Sequence, residues 1–141
     1  MDIRPLTDRY AVSPQIDPQD AAAIKAAGYT TVICNRPDAE VPGMLQAAAM
    51  RTALEAEGLR FVVNPIDGRG MGIETVEAQA ALLAEADGPV LAYCASGTRS
   101  AFVWAFAQAG QMPTDEILAA GMAQGYPLAG LRGQIEALAT R

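Results

Sequence analysis

In Gly88-Pro89-Val90-Leu91-Ala92-Tyr93-Cys94-Ala95-Ser96-Gly97-Thr98-Arg99-Ser100 an apolar run ends in a cysteine, and an arginine closes a small glycine-containing loop behind it. Pro89 to Tyr93 has the pattern of a short buried strand. From Arg99 to Ala109 alanine and aromatic residues dominate, the pattern of a helix. Backbone N–H groups of a loop joining a strand end to a helix start converge with the positive helix end, which favours a bound anion and an ionised thiol. Ala95, Ser96, Gly97 and Thr98 are therefore expected to cradle an anion beside Cys94, the candidate nucleophile. Arg99 adds a two-pronged donor. A positive charge in a first helical turn opposes the helix dipole, so Arg99 calls for an anionic partner. Gly97 supplies a backbone conformation that side chains disfavour. Ser100 either donates to the Cys94 thiolate or caps the helix.

Working outward, strands and helices alternate. Arg9 to Val12 reads as a first strand, and Asp17-Pro18 opens a helix that ends at Gly28. Thr30 to Cys34 is strand-like, Met44 to Glu57 helical, and Leu59 to Asn64 a third strand. A loop over Pro65 to Gly72 precedes a helix from Ile73 to Ala86, and Asp87-Gly88-Pro89 breaks it before the Cys94 strand. Thr114 is the expected cap of a further helix, and the last runs from Leu128 to Ala139. This order predicts a single three-layer α/β domain over residues 1–141, a short, mainly parallel sheet flanked by helices. Function then belongs at the strands' carboxyl edge. That edge gathers the loops Cys34 to Glu40, Asn64 to Gly72 and Cys94 to Ser100, each with an arginine.

The chain has 141 residues, is 51% hydrophobic and carries a net charge of −6. That suffices for a real core and argues against nucleic acid or an anionic membrane as partner, since both need clustered lysine and arginine. The first residues lack the features of a signal peptide and no apolar run approaches membrane-spanning length, so a reducing cytoplasm is the expected location. With no histidine and only Cys34 and Cys94, neither a Cys/His metal site nor a Cys-His catalytic pair can form, and no cofactor is implied.

Asp67-Gly68 has the composition of an ordinary turn. Arg36 and Arg69 either rim the pocket and recruit an anion or are solvated, with Asp38 and Glu40 pairing Arg36 locally. Cys34 is core, or the partner that resolves an oxidised Cys94. Phe102, Trp104 and Phe106 belong to the core and rim of their helix.

The order strand, Cys-x-x-Gly, Arg-Ser, helix resembles the phosphate-binding loop of protein tyrosine and dual-specificity phosphatases. Their signature has five residues between cysteine and arginine, where this chain has four, the length found in rhodanese-type sulfurtransferases. Tyr93 stands where those phosphatases have histidine. Taken with Gly28 to Glu40 and Gly58 to Ile66, the stretch is similar to the Blh (beta-lactamase hydrolase-like) phosphatase-like family over nearly the whole chain. The resemblance implies a phosphatase-like fold with the cysteine loop at the carboxyl edge and Asp67 in the general-acid loop. It also implies a partner in some members, a sulfur-oxidising persulfide dioxygenase fused to the domain.

The loop length favours a sulfurtransferase or persulfide carrier acting on a small anionic substrate or persulfide donor through a Cys94 persulfide. The alternatives are a phosphomonoesterase working through phosphocysteine, with Asp67 as acid, and an anion-binding module without turnover.

Overall fold

The computed structural model describes residues 1–141. Five strands form one sheet in the order β1-β2-β5-β3-β4. The strands are β1 (Arg4–Thr7), β2 (Tyr10–Ser13), β3 (Thr31–Cys34), β4 (Arg60–Val63) and β5 (Val90–Tyr93). β1 and β2 make an antiparallel hairpin, and every other pairing is parallel. Every residue of β2, β3 and β5 is buried, as expected of strands covered on both faces. Registers Ser13↔Tyr93, Cys34↔Tyr93 and Cys34↔Val63 bring four chain exits to one edge.

Side chains alternate between the faces with the strand period of two residues. Val12, Ile33 and Ala92 pack with Trp104, Ile117 and Ile135, under α4 (Thr98–Ala107), α5 (Thr114–Ala123) and α6 (Arg132–Ala139). Helix α3 (Ile73–Glu85) lies against α4 on that side. Ala11, Val32, Leu91 and Tyr93 face the other way, onto α1 (Ala21–Ala26) and α2 (Ala47–Ala56) through Ile24, Met50 and Leu54. The expected α/β architecture, a mainly parallel sheet between helical layers, is the one observed. Trp104 is buried and stacks on Tyr10 with ring centroids 6.0 Å apart, while Phe102 and Phe106 are half-buried. No helix is long and apolar enough to cross a membrane.

Several local readings differ, among them the last helix, which divides into a 3-10 turn, Leu128–Leu131, and α6. The expected first strand is the second arm of a hairpin, whose other arm, β1, went unread because Arg4-Pro5-Leu6-Thr7 is short and contains proline. Pro5 fits there because an edge strand tolerates a missing N–H. The stretch Met44 to Glu57 divides into a 3-10 turn, Gly43–Leu45, and α2, separated by extended Gln46 at ψ 164°. Thr114 is the first residue of α5 rather than its cap, and Pro113 precedes it without a side-chain hydrogen bond.

Candidate active site

The chain leaves β5 at Tyr93, turns through Cys94 to Gly97 and enters α4 at Thr98. Gly97 has φ +92°, in the left-handed region that favours glycine. A Cβ at this position would also collide with the Tyr126 hydroxyl. That hydroxyl donates to the Ser96 carbonyl at 3.1 Å, so the turn is braced from outside. In this conformation the Gly97 N–H points at the Cys94 sulfur, 3.1 Å away. Cys94 is fully buried, and the Ser96 and Thr98 hydroxyls lie 2.9 Å apart in the exposed part of the loop. N–H groups and a guanidinium are donors, a set suited to an anion rather than to a metal ion.

Arg99 has the anionic partner that its place in the first turn called for, and the partner comes from the protein itself. Its Nη1 and Nη2 each donate to the Glu40 carboxylate at 2.8 Å, and Nη1 also donates to the Ile66 carbonyl at 2.7 Å. Arg36 reaches the same carboxylate through Nε at 3.1 Å and touches Gln15 through Nη1 at 3.3 Å. Glu40 therefore bridges two arginines. Hydrogen bonding from Arg99, and then from Arg36, holds the Glu40 carboxyl below its ordinary range. Reciprocally, the Glu40 bond pushes the Arg99 guanidinium further up. Local pairing of Arg36 with Glu40 is as expected; Asp38 instead accepts the Ala47 N–H at 2.8 Å at the start of α2.

Beneath the loop lies a buried polar cluster that the sequence reading did not anticipate. Ser100 Oγ donates to Asn35 Oδ1 at 2.9 Å, so its hydroxyl is directed to Asn35, not to the Cys94 sulfur or to a helix cap. Asn35 Nδ2 donates to the Asn64 carbonyl at 2.8 Å and to Gln79 Oε1 at 3.0 Å. Asn64 Nδ2 meets the same Gln79 oxygen at 2.8 Å, and Gln79 Nε2 reaches the Tyr10 hydroxyl at 3.2 Å. Tyr10 closes the circuit by donating to the Ser100 carbonyl at 2.8 Å. Buried amides left unpaired are costly, so the cluster fixes the starts of α4 and the Pro65 loop relative to β3. Two clues were in the sequence. Asn35 and Asn64 each follow an apolar strand at its carboxyl end, and Gln79 sits three residues after Val76 on the buried side of an alanine-rich helix.

Asp67 is exposed, and its Oδ1 accepts the Arg69 N–H at 2.8 Å, the turn chemistry of the expected alternative. Its neighbour Ile66 is the residue that receives Arg99, which ties the Asp67 loop to the cysteine loop. Arg69 is exposed and has no side-chain hydrogen bond or ion pair. Cys34 and Cys94 are both free. Cys34 faces the α1/α2 core beside Tyr93, its thiol is pushed up by burial, and its sulfur lies 3.2 Å from the Arg36 carbonyl. Tyr93 packs in the same core, its hydroxyl buried without a hydrogen-bond partner.

Residues 2–111 match the profile of the family described as beta-lactamase hydrolase-like protein, phosphatase-like domain. A beta-lactamase hydrolase-like protein of Xylella fastidiosa is 31% identical over 130 residues, 91% of this chain but 30% of the relative. The chain thus spans about a third of the length of such curated relatives. The crystal structure of a candidate phosphatase from Neisseria meningitidis superposes with a TM-score of 0.83 at 36% identity, covering 98% of this chain and 99% of that one. Tk-PTP, at 19% identity and a TM-score of 0.77 over 99% of this chain and 97% of its own, shares the fold. With 110 consecutive residues matching the family profile, the chain belongs to the phosphatase-like domain family of beta-lactamase hydrolase-like proteins.

Proposed function

We propose that the chain hydrolyses phosphate monoesters through Cys94. The observation that carries this reading is the arrangement of the buried Cys94 sulfur, the Gly97 N–H aimed at it and the Arg99 guanidinium in the next turn. The paired Glu40–Arg99 bonds display the two-pronged geometry that an oxyanion would take on Arg99. Cys94 as thiolate attacks phosphorus, the ester P–O bond breaks, and the leaving oxygen takes a proton from Asp67. Water then attacks the phosphocysteine, its proton passes to Asp67, and phosphate and thiolate are released. The loop N–H groups and Arg99 stabilise charge on the phosphoryl oxygens in both steps. The likeness to the Neisseria structure supports this reading over the sulfur transfer that loop length favours.

Loop length keeps sulfur transfer as a second reading. There the thiolate attacks the outer sulfur of a persulfide or thiosulfate, that S–S bond breaks, and the inner fragment leaves as thiolate or sulfite. A sulfur-oxidising partner would belong with this chemistry.

Phosphate release from p-nitrophenyl phosphate, set beside the intact mass of the protein after thiosulfate treatment, tests both. Phosphate release that disappears in Cys94→Ser, without mass gain in the wild type, is the expected result. A gain of one sulfur atom on Cys94 with no phosphate release would replace phosphoryl transfer by sulfur transfer.

A further inference from the structure

An uncharged groove of about 550 Å³ opens between α3, α4 and α6, within the size range of ligand pockets. Its walls are chiefly Met71, Ile73, Phe102, Phe106, Leu131 and Leu138. Two links join it to the cysteine loop. Arg99, Phe102 and Phe106 follow one another at spacings of three and four residues, which places them along one side of α4. Ile66 gives its carbonyl to Arg99 at 2.7 Å while its side chain packs with Val76 and Val103, against Met71 and Phe106. The apolar floor of the groove is thus continuous with the residue that holds Arg99. Past Phe106 the surface leads into a second hollow of about 240 Å³, bordered by Glu77 and Arg141, which pair at 3.0 Å.

We propose that this groove is the subsite for the apolar body of the substrate, an amphiphilic monoester whose anionic head sits in the Cys94–Arg99 loop and whose alkyl or aryl portion lies along Phe102 and Phe106. The proposal rests on reading that loop as an anion cradle. The groove selects an uncharged, apolar body because no charged side chain lines it, in a chain of net charge −6. A polyanionic or strongly polar leaving group would gain nothing there. Each methylene withdrawn from water strengthens binding by up to about fourfold.

The test uses methyl-, butyl- and octylphosphonate, which keep an anionic head but have no ester bond, with octanol as the headless control. Affinity measured by calorimetry is expected to rise at least tenfold from butyl to octyl, and octanol to bind much more weakly than octylphosphonate. Ala137→Trp, at an exposed groove position on α6, is expected to abolish the rise with chain length. Gln134→Glu, also exposed, tests the same point by placing a carboxylate in the groove, should the tryptophan variant fail to fold. Equal affinities across the series, a chain-length effect that survives both variants, or octanol binding as tightly as octylphosphonate would overturn the proposal. So would sedimentation showing a dimer that Ala137→Trp dissociates and octylphosphonate does not, since a second copy would then occupy the groove. Phosphate release from p-nitrophenyl phosphate, measured in parallel, separates the two readings. Release with flat affinities removes the groove proposal alone; chain-length-dependent binding without release removes the phosphatase reading alone.

Discussion

Glu40 and Arg99, 59 residues apart in sequence, are joined by paired hydrogen bonds of 2.8 Å each. A carboxylate so placed occupies the same donors that the proposed oxyanion would need. Glu40→Gln keeps the shape and removes the charge, so inorganic phosphate is expected to bind more tightly, by up to about fivefold on the scale of a partly exposed ion pair. Isothermal titration at low salt measures it. Weaker binding would show that Glu40 positions Arg99 rather than competing for it.

Stability should follow the protonation of the same pair. The folded Glu40 carboxyl titrates below its unfolded value, so the contribution is present above about pH 4.3 and is lost as pH falls through the lower folded value. Chemical denaturation of wild type and Glu40→Gln is expected to show a small gap at pH 7 that closes below pH ~4. A gap unchanged at low pH would remove the ion pair as its source.

Asp67→Asn retains an oxygen for the turn that Asp67 makes with the Arg69 N–H, so the loop should persist. If Asp67 donates the proton, alkyl phosphates with poor leaving groups should react about a hundredfold more slowly, while p-nitrophenyl phosphate changes little. Equal losses on both esters would assign Asp67 a structural role.

Gly97→Ala combines two penalties, a left-handed backbone costing about 1–2 kcal/mol and a collision with the Tyr126 hydroxyl. Loss of anion binding and a drop in melting temperature are expected. Adding Tyr126→Phe should recover only part of the stability, because the backbone strain remains. Full recovery would place the whole defect in the collision.

Tyr93→Phe removes a buried hydroxyl that has no partner. Stability should stay level or rise by about 1 kcal/mol, with phosphate release unchanged. A clear loss of activity would mean that the Tyr93 hydroxyl takes part in the chemistry at Cys94.

The parts of this protein written in short-range pattern were legible. Strand-loop-helix around Cys94, the glycine at a positive φ and the parallel sheet all follow from local apolar runs and their breakers. Arg99 in a first helical turn calls for an anionic neighbour, but Glu40 could not be chosen from Asp38, Glu40 and Asp67 without knowing which loop folds over the arginine. The Asn35, Asn64, Gln79, Tyr10 and Ser100 cluster was hidden for the same reason, since polar pairing across 15 to 90 residues leaves no periodic trace. The hairpin arm β1 escaped because a four-residue edge strand with proline shows neither alternation nor an apolar run.

The closed circuit from Tyr10 through Gln79 and Asn35 to Ser100 also bears on the order in which the molecule comes together. Its links span 69, 44 and 65 residues, and the return from Tyr10 to Ser100 spans 90. Loop-closure entropy must be met for each before the contacts reward it, which makes such pairings late events in folding. An isolated peptide carrying Pro89 to Gln108 would contain the cysteine, the glycine and the arginine, yet of the platform that aims them only Ser100. Anion affinity should therefore emerge only with the last cooperative step of folding, so that phosphate binding reports completed assembly rather than collapse.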